Sequence, residues 1–178
     1  MSTVPVAQAS GAGESIYLSK GKWTHHTGRV LSLEELKGEP RVLTMIFTRC
    51  PSACPVIVND LKRVRTALGA DAKKRVRYTL FSFDSKGDTP EVLREFAKKM
   101  KIEDSQWDLF VANEEDTREL AALLGVQYKQ IPSGEFVHSN VIVAVDSEGR
   151  VLAQVDGLSK PVKPLAKALD ESLRRSAK

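Results

Sequence analysis

The segment Arg41-Val42-Leu43-Thr44-Met45-Ile46-Phe47-Thr48-Arg49-Cys50-Pro51-Ser52-Ala53-Cys54-Pro55 decides how this chain is read. Arg41 to Thr48 is a mostly apolar run of strand length, the pattern of a central strand covered on both faces. Beyond it Ile57, Leu61, Val64 and Leu68 recur at helical spacing, and Gly69 supplies a stop. Pro51 and Pro55 stand where a first helical turn tolerates proline. The segment is a strand-to-helix junction, and it holds both cysteines of the chain. Unpaired N–H groups and the dipole at a helix start favour thiolate, the form that attacks disulfides and binds soft metals. The pair is a candidate reaction centre.

Outward from this junction the pattern repeats. Val76 to Phe83 alternates toward a second strand. Asp88-Thr89-Pro90-Glu91 opens a helix with a capping residue, a proline at the first position and an acid in the first turn, and Val92, Leu93, Phe96 and Met100 form its buried stripe. Trp107 to Ala112 reads as a third strand, and Asp116 to Leu124 as a third helix stopped by Gly125. The period then changes. Val126 to Ile131, Phe136 to Val145 and Val151 to Val155 read as extended, with Asp146-Ser147-Glu148-Gly149 as a turn. A closing helix over 161–174 places Val162, Leu165, Leu169 and Leu173 on one face. Upstream, Trp23 to Leu36 reads as a short hairpin whose turn ends at Gly28. The order predicts an α/β fold, a central mixed sheet flanked by helices with an N-terminal hairpin extension.

The chain has 178 residues, 42% of them apolar and 28% charged, enough for one domain over 15–178 with a full core. Residues 1–14 are small and polar without periodicity, a flexible tail. No apolar run is long enough to span a bilayer. The net charge of +4 and pI near 9.1 come from scattered Lys and Arg, not banded with aromatics, so nucleic-acid binding is unsupported.

Two thiols four apart on one helix have Cβ atoms about 5–6 Å apart, whereas a relaxed disulfide wants about 3.5–4.5 Å. A disulfide therefore needs unwinding at Cys50, while a metal with bonds near 2.3 Å tolerates a wider separation. Buried apolar packing is the remaining role for such a pair. Of the three histidines, His25 and His26 fall in the N-terminal turn, where solvated polar residues are expected. His138 stands at the entrance of the apolar Val141-Ile142-Val143-Ala144-Val145.

Together these features resemble the Sco/SenC family, thioredoxin-like proteins of copper delivery to cytochrome c oxidase. Its Cys-x-x-x-Cys-Pro loop is matched by Cys50 to Pro55, and its late His-Ser pair by His138-Ser139. Its segment after the second core strand is matched by Ser82-Phe83-Asp84 and Asp88-Thr89-Pro90-Glu91-Val92-Leu93. The likeness runs from about Trp23 to Leu173. Ser85 replaces a proline common after that Asp, and Val137 replaces an acidic residue often found before the His. Peroxiredoxins share the fold, but their Pro-x-x-x-Thr-x-x-Cys arrangement is missing.

The resemblance implies a thioredoxin-like fold in which Cys50, Cys54 and His138 bind one copper ion, Cu(I) or Cu(II). It implies a copper metallochaperone serving the dinuclear copper site of cytochrome c oxidase subunit II, or another copper-receiving protein. It also implies a bacterial periplasmic location, with an inner-membrane tether removed from this chain. Two alternatives stay open: a thiol-disulfide oxidoreductase acting through Cys50 and Cys54, working with a thioredoxin-like reductant, and a copper or redox sensor. Asp84, at the same strand edge, is a candidate for orienting a ligand or tuning charge, though a turn residue ending a strand explains it as well.

Overall fold

A computed structural model describes residues 14–177. The expected tail thus lies, but for Glu14, outside the described residues. The apolar run forms strand β3 (Arg41–Ile46), in which every residue is buried. The cause is its place in the sheet. β3 pairs in parallel with β4 (Arg77–Ser82) and antiparallel with β8 (Val141–Val145), so backbone neighbours flank it on both sides. The full seven-stranded order is β2-β1-β5-β4-β3-β8-β9. β1 (Lys22–His25) and β2 (Val30–Ser32) are the predicted hairpin, and Gly28 takes φ 91° in its turn. The hairpin is no appendage, because β1 pairs antiparallel with β5 (Trp107–Val111) and completes one side of the sheet. β9 (Val151–Asp156) closes the other side. The sheet is mixed and flanked by helices, as the thioredoxin-like reading predicts.

The helices follow from their apolar stripes and caps. α1 (Ala53–Ala67) buries Ile57, Leu61 and Val64. α3 (Pro90–Met100) is capped by Thr89, whose hydroxyl accepts the Val92 N–H, and buries Leu93, Phe96 and Ala97. Val92 and Met100, expected in that stripe, are only half-buried. α4 (Glu114–Leu123) starts two residues before the predicted Asp116, because the Asn113 side chain accepts the Asp116 N–H and caps it. α5 (Lys163–Ser176) packs Leu165, Leu169 and Leu173 inward and contacts α1. The Lys62 ammonium on α1 donates to the Met100 carbonyl at 2.7 Å, tying α1 to α3 on the same face. That agrees with right-handed crossovers through three parallel strands.

One element was not expected. A short helix α2 (Ala70–Arg75) follows Gly69 at once, with the Asp170 carboxylate of α5 accepting the Gly69 N–H. It buries only Ala72, so no apolar period announces it. β6 (Tyr128–Gln130) and β7 (Phe136–His138) fall in segments read as extended, but the stretch from Phe136 to Val145 divides after His138, and β6 and β7 form a two-stranded sheet of their own.

The parallel register sets Ile46 of β3 level with Ser82 of β4. Cys50 and Asp84 therefore emerge at one edge, the carboxyl end of the strands, where sites in open α/β sheets lie.

Candidate metal centre

Cys50 does not belong to the helix. α1 begins at Ala53, and the Cys50 N–H closes a turn onto the Phe47 carbonyl at 3.2 Å. The helical four-residue separation that argued against close thiols does not apply, since the first thiol sits in the turn and the second in the first helical turn. Cys50 is partly exposed and Cys54 is buried, and both are free thiols.

Two aspartates hold the turn. Asp88 is buried, accepts the Thr48 N–H at 3.1 Å and the Thr48 hydroxyl at 2.5 Å, and accepts the Ser82 hydroxyl at 2.6 Å. It thereby fastens the cysteine loop to the end of β4. Asp84, also buried, accepts the Gly87 N–H at 2.8 Å and a guanidinium N–H of Arg49 at 2.5 Å. Its bonds go to the loop's arginine rather than to a thiol or imidazole, so it restrains the residue next to Cys50. The anchoring role of Asp88 was missed because its place in a capping sequence accounted for it.

His138 ends β7 opposite Tyr128. Its ring lies edge-on to Phe47 at 5.9 Å and tilted on Phe83 at 5.0 Å, and Phe47 and Phe136 are 5.2 Å apart. Nδ1 lies 3.0 Å from the Ser139 carbonyl oxygen. A carbonyl only accepts, so Nδ1 carries the proton and Nε2 is left with a free lone pair. Val137 is 61% exposed and, by strand alternation, faces away from the His138 ring. The carbonyl of Ser139 serves the ring nitrogen instead. This aromatic wall joins segments far apart in sequence, and no local signal pointed to it.

The donor atoms of Cys50, Cys54 and His138 lie within 4.8 Å of one another, and among the described residues this is the one group of three or more His, Cys, Asp or Glu side chains so gathered. A metal with bonds near 2.3 Å wants such donors roughly 4 Å apart, a contraction that side-chain torsions can supply. Two sulfurs and one imidazole form a soft donor set. The thiols differ electrically. Burial pushes the Cys50 thiol up, but the N–H groups of Cys54 and Ser52, the Cys54 thiol and the Ala53 N–H outweigh it, so its pKa is lowered. Burial dominates at Cys54, with the Cys50 charge adding to it, and its pKa is raised. The helix start thus activates one thiol, not both.

Only His26 stands in the turn as expected, and neither histidine is fully solvated. His25 lies on β1, where its Nε2 is 3.2 Å from Asp108. The His26 Nδ1 accepts the Leu109 N–H at 3.2 Å. Docking of β1 on β5 draws both rings inward, which a polar local composition does not reveal.

Comparison with known proteins follows the same lines. The SCO1/SenC family profile matches residues 14–174. A Bacillus subtilis protein described as "SCO1 protein homolog" is 31% identical over 136 residues, 74% of this chain and 69% of that protein. The structure reporting a disulfide switch in BsSco, a member of the Sco family of cytochrome c oxidase assembly proteins, matches with TM-score 0.71 and 25% identity over 85% of this chain and 90% of its own. Arabidopsis thaliana ScoI with copper bound matches with TM-score 0.75 and 19% identity over 87% of this chain and 96% of its own.

Proposed function

Since the chain belongs to the SCO1/SenC family, we propose that it carries copper as cargo on Cys50, Cys54 and His138 and hands it to the dinuclear copper site of cytochrome c oxidase subunit II. The observation that carries this reading is the convergence of two thiols and one imidazole from distant parts of the chain. That donor set suits Cu(I), and the nitrogen with room for an added ligand accommodates Cu(II). A structural zinc site would want four ligands, and the chain has no third cysteine. The Nδ1 proton on the Ser139 carbonyl fixes the imidazole and leaves Nε2 as the nitrogen with a lone pair for a metal. The copper-bound Arabidopsis relative supports the choice of metal. The working place is the outer side of a bacterial inner membrane. Copper titration tests the assignment: the wild-type chain takes up about one equivalent, and His138→Ala lowers the affinity at least about tenfold, in line with loss of one of three donors. Unchanged affinity and stoichiometry in that variant would remove His138 from the site.

A second reading, thiol-disulfide exchange on the recipient's cysteines, is favoured by the split between the two thiols. Cys50 is the more exposed and has the lowered pKa, so it is the attacking sulfur, and buried Cys54 resolves the mixed disulfide. The disulfide switch named for BsSco accords with it.

A further inference from the structure

Beside the thiols and imidazole lies a cleft of about 290 Å³ whose lining includes Phe83, Lys86, Arg118, Tyr128, Lys129 and Phe136. Phe83 and Phe136 belong at once to this cleft and to the wall around His138: Phe83 is 5.0 Å from the imidazole and 6.2 Å from Phe136. Phe83 also stacks on Tyr128 at 4.9 Å, giving the cleft an aromatic floor. Its rim is basic. Lys86 and Arg118 share a single carboxylate, Glu114, at 3.0 and 3.3 Å, and the neighbouring Asp84 is already engaged by Arg49. Lys129 adds a third exposed cation.

One side of the cleft is a strand edge. Among the described residues β6 pairs only with β7. The bonds Ser139 N–H to the Gln127 carbonyl and Ile131 N–H to the Glu135 carbonyl make 127/139 and 131/135 hydrogen-bonded pairs. By alternation the N–H and C=O groups of Tyr128 and Gln130 then point away from β7. Tyr128, Lys129 and Gln130 all line the cleft. An edge with outward backbone groups takes an added strand, with ladder bonds giving affinity and alternate side chains giving specificity.

The geometry points to a docking site for an extended acidic segment of the copper-receiving partner, which adds to the β6 edge with carboxylates on Lys86, Arg118 and Lys129 and an apolar side chain on the Phe83-Tyr128-Phe136 floor. The assignment of that segment to the recipient rests on the proposed function. Docking there brings the partner's ligands beside His138 without covering Cys50.

The probe is a blocked synthetic peptide of about ten residues alternating Glu and Leu, long enough to lie along one strand edge, added to the full chain. Saturable amide shifts centred on Tyr128 and Gln130 are expected, weakened at roughly 0.5 M salt where charge pairs are screened. The double reversal Lys86→Glu with Lys129→Glu lowers the peptide affinity at least about tenfold while leaving copper stoichiometry unchanged. Gln130→Pro, which deletes an outward N–H and no hairpin bond, weakens binding with the far-UV spectrum retained. Absence of saturable shifts, shifts centred elsewhere, or equal binding of the matching Lys-Leu peptide overturns the docking site. Copper titration of the same samples judges the metal assignment separately, since loss of copper uptake with intact peptide binding sinks only the metal assignment.

Discussion

At the scale of single residues, the decisive asymmetry is between two thiols four positions apart. Helix-start N–H groups reach Cys50 and lower its pKa, whereas burial raises that of Cys54. Alkylation near neutral pH should therefore modify Cys50 first, by about tenfold or more in rate, because the thiolate is the reacting form. Peptide mass mapping against time measures this, and equal rates at both sulfurs would contradict the asymmetry. The cysteines were legible from their spacing at a strand-to-helix junction, whereas His138 stood out only through the family resemblance, because nothing local sets it beside the thiols. Which thiol is activated was not legible, because it depends on α1 starting at Ala53 and not at Cys50.

At the scale of elements, the cysteine loop is held to the end of β4 by Asp88, which serves Thr48 and Ser82 together. Asp88→Ala leaves the part-buried Thr48 N–H and hydroxyl and the buried Ser82 hydroxyl without their acceptor, and should lower stability by about 3 kcal/mol. Denaturant unfolding gives the value, and amide exchange at Thr48 should accelerate beyond the global change. Gly87 is a second constraint. A Cβ there would run into the Asp84 carboxylate and come within 3.0 Å of the Arg49 guanidinium. Gly87→Ala should thus displace Asp84 or Arg49 and loosen the turn bearing Cys50. The apolar run of β3 and the Asp-Thr-Pro-Glu start of α3 declared themselves in sequence, because burial on two faces and capping are local patterns. The short α2 did not, since it buries one residue, and although β6 and β7 read as extended, their separation from the main sheet is a matter of long-range pairing that no local pattern shows.

At the scale of the whole molecule, the amino ends of the parallel strands carry a buried charge network opposite the thiols. Asp108 accepts from Arg41 at 2.7 Å, from Arg77 at 2.9 and 3.0 Å, and lies 3.2 Å from His25. Burial alone would push the Asp108 carboxyl up, but hydrogen bonds from His25 and Arg77 and the charge and bond of Arg41 hold it well below the usual carboxylate range. A carboxyl depressed in the folded state contributes stability that is complete above its unfolded pKa of about 4 and is lost as pH falls toward the folded value. Asp108→Asn strands two arginines and should lower stability by about 3–5 kcal/mol at neutral pH. The gap between wild type and variant, read from urea midpoints, should narrow steadily below about pH 4. A gap independent of pH would assign the loss to packing. Sheet order, which brings β1 onto β5 and His25 onto Asp108, is a long-range property, and for that reason the two early histidines were misread.

The proposed metal donors also differ in when they are made. Both thiols lie at the junction of the third strand and the first helix, Cys50 in the connecting turn and Cys54 in the first helical turn, while the imidazole arrives only with the seventh strand, after three further helices. During vectorial synthesis or translocation the chain therefore presents a two-sulfur half-site well before the third donor exists, in an interval when early elements can already fold. Completion of the donor set thus reports that β7 has been reached and seated, so high-affinity loading is timed by the chain's own order of emergence.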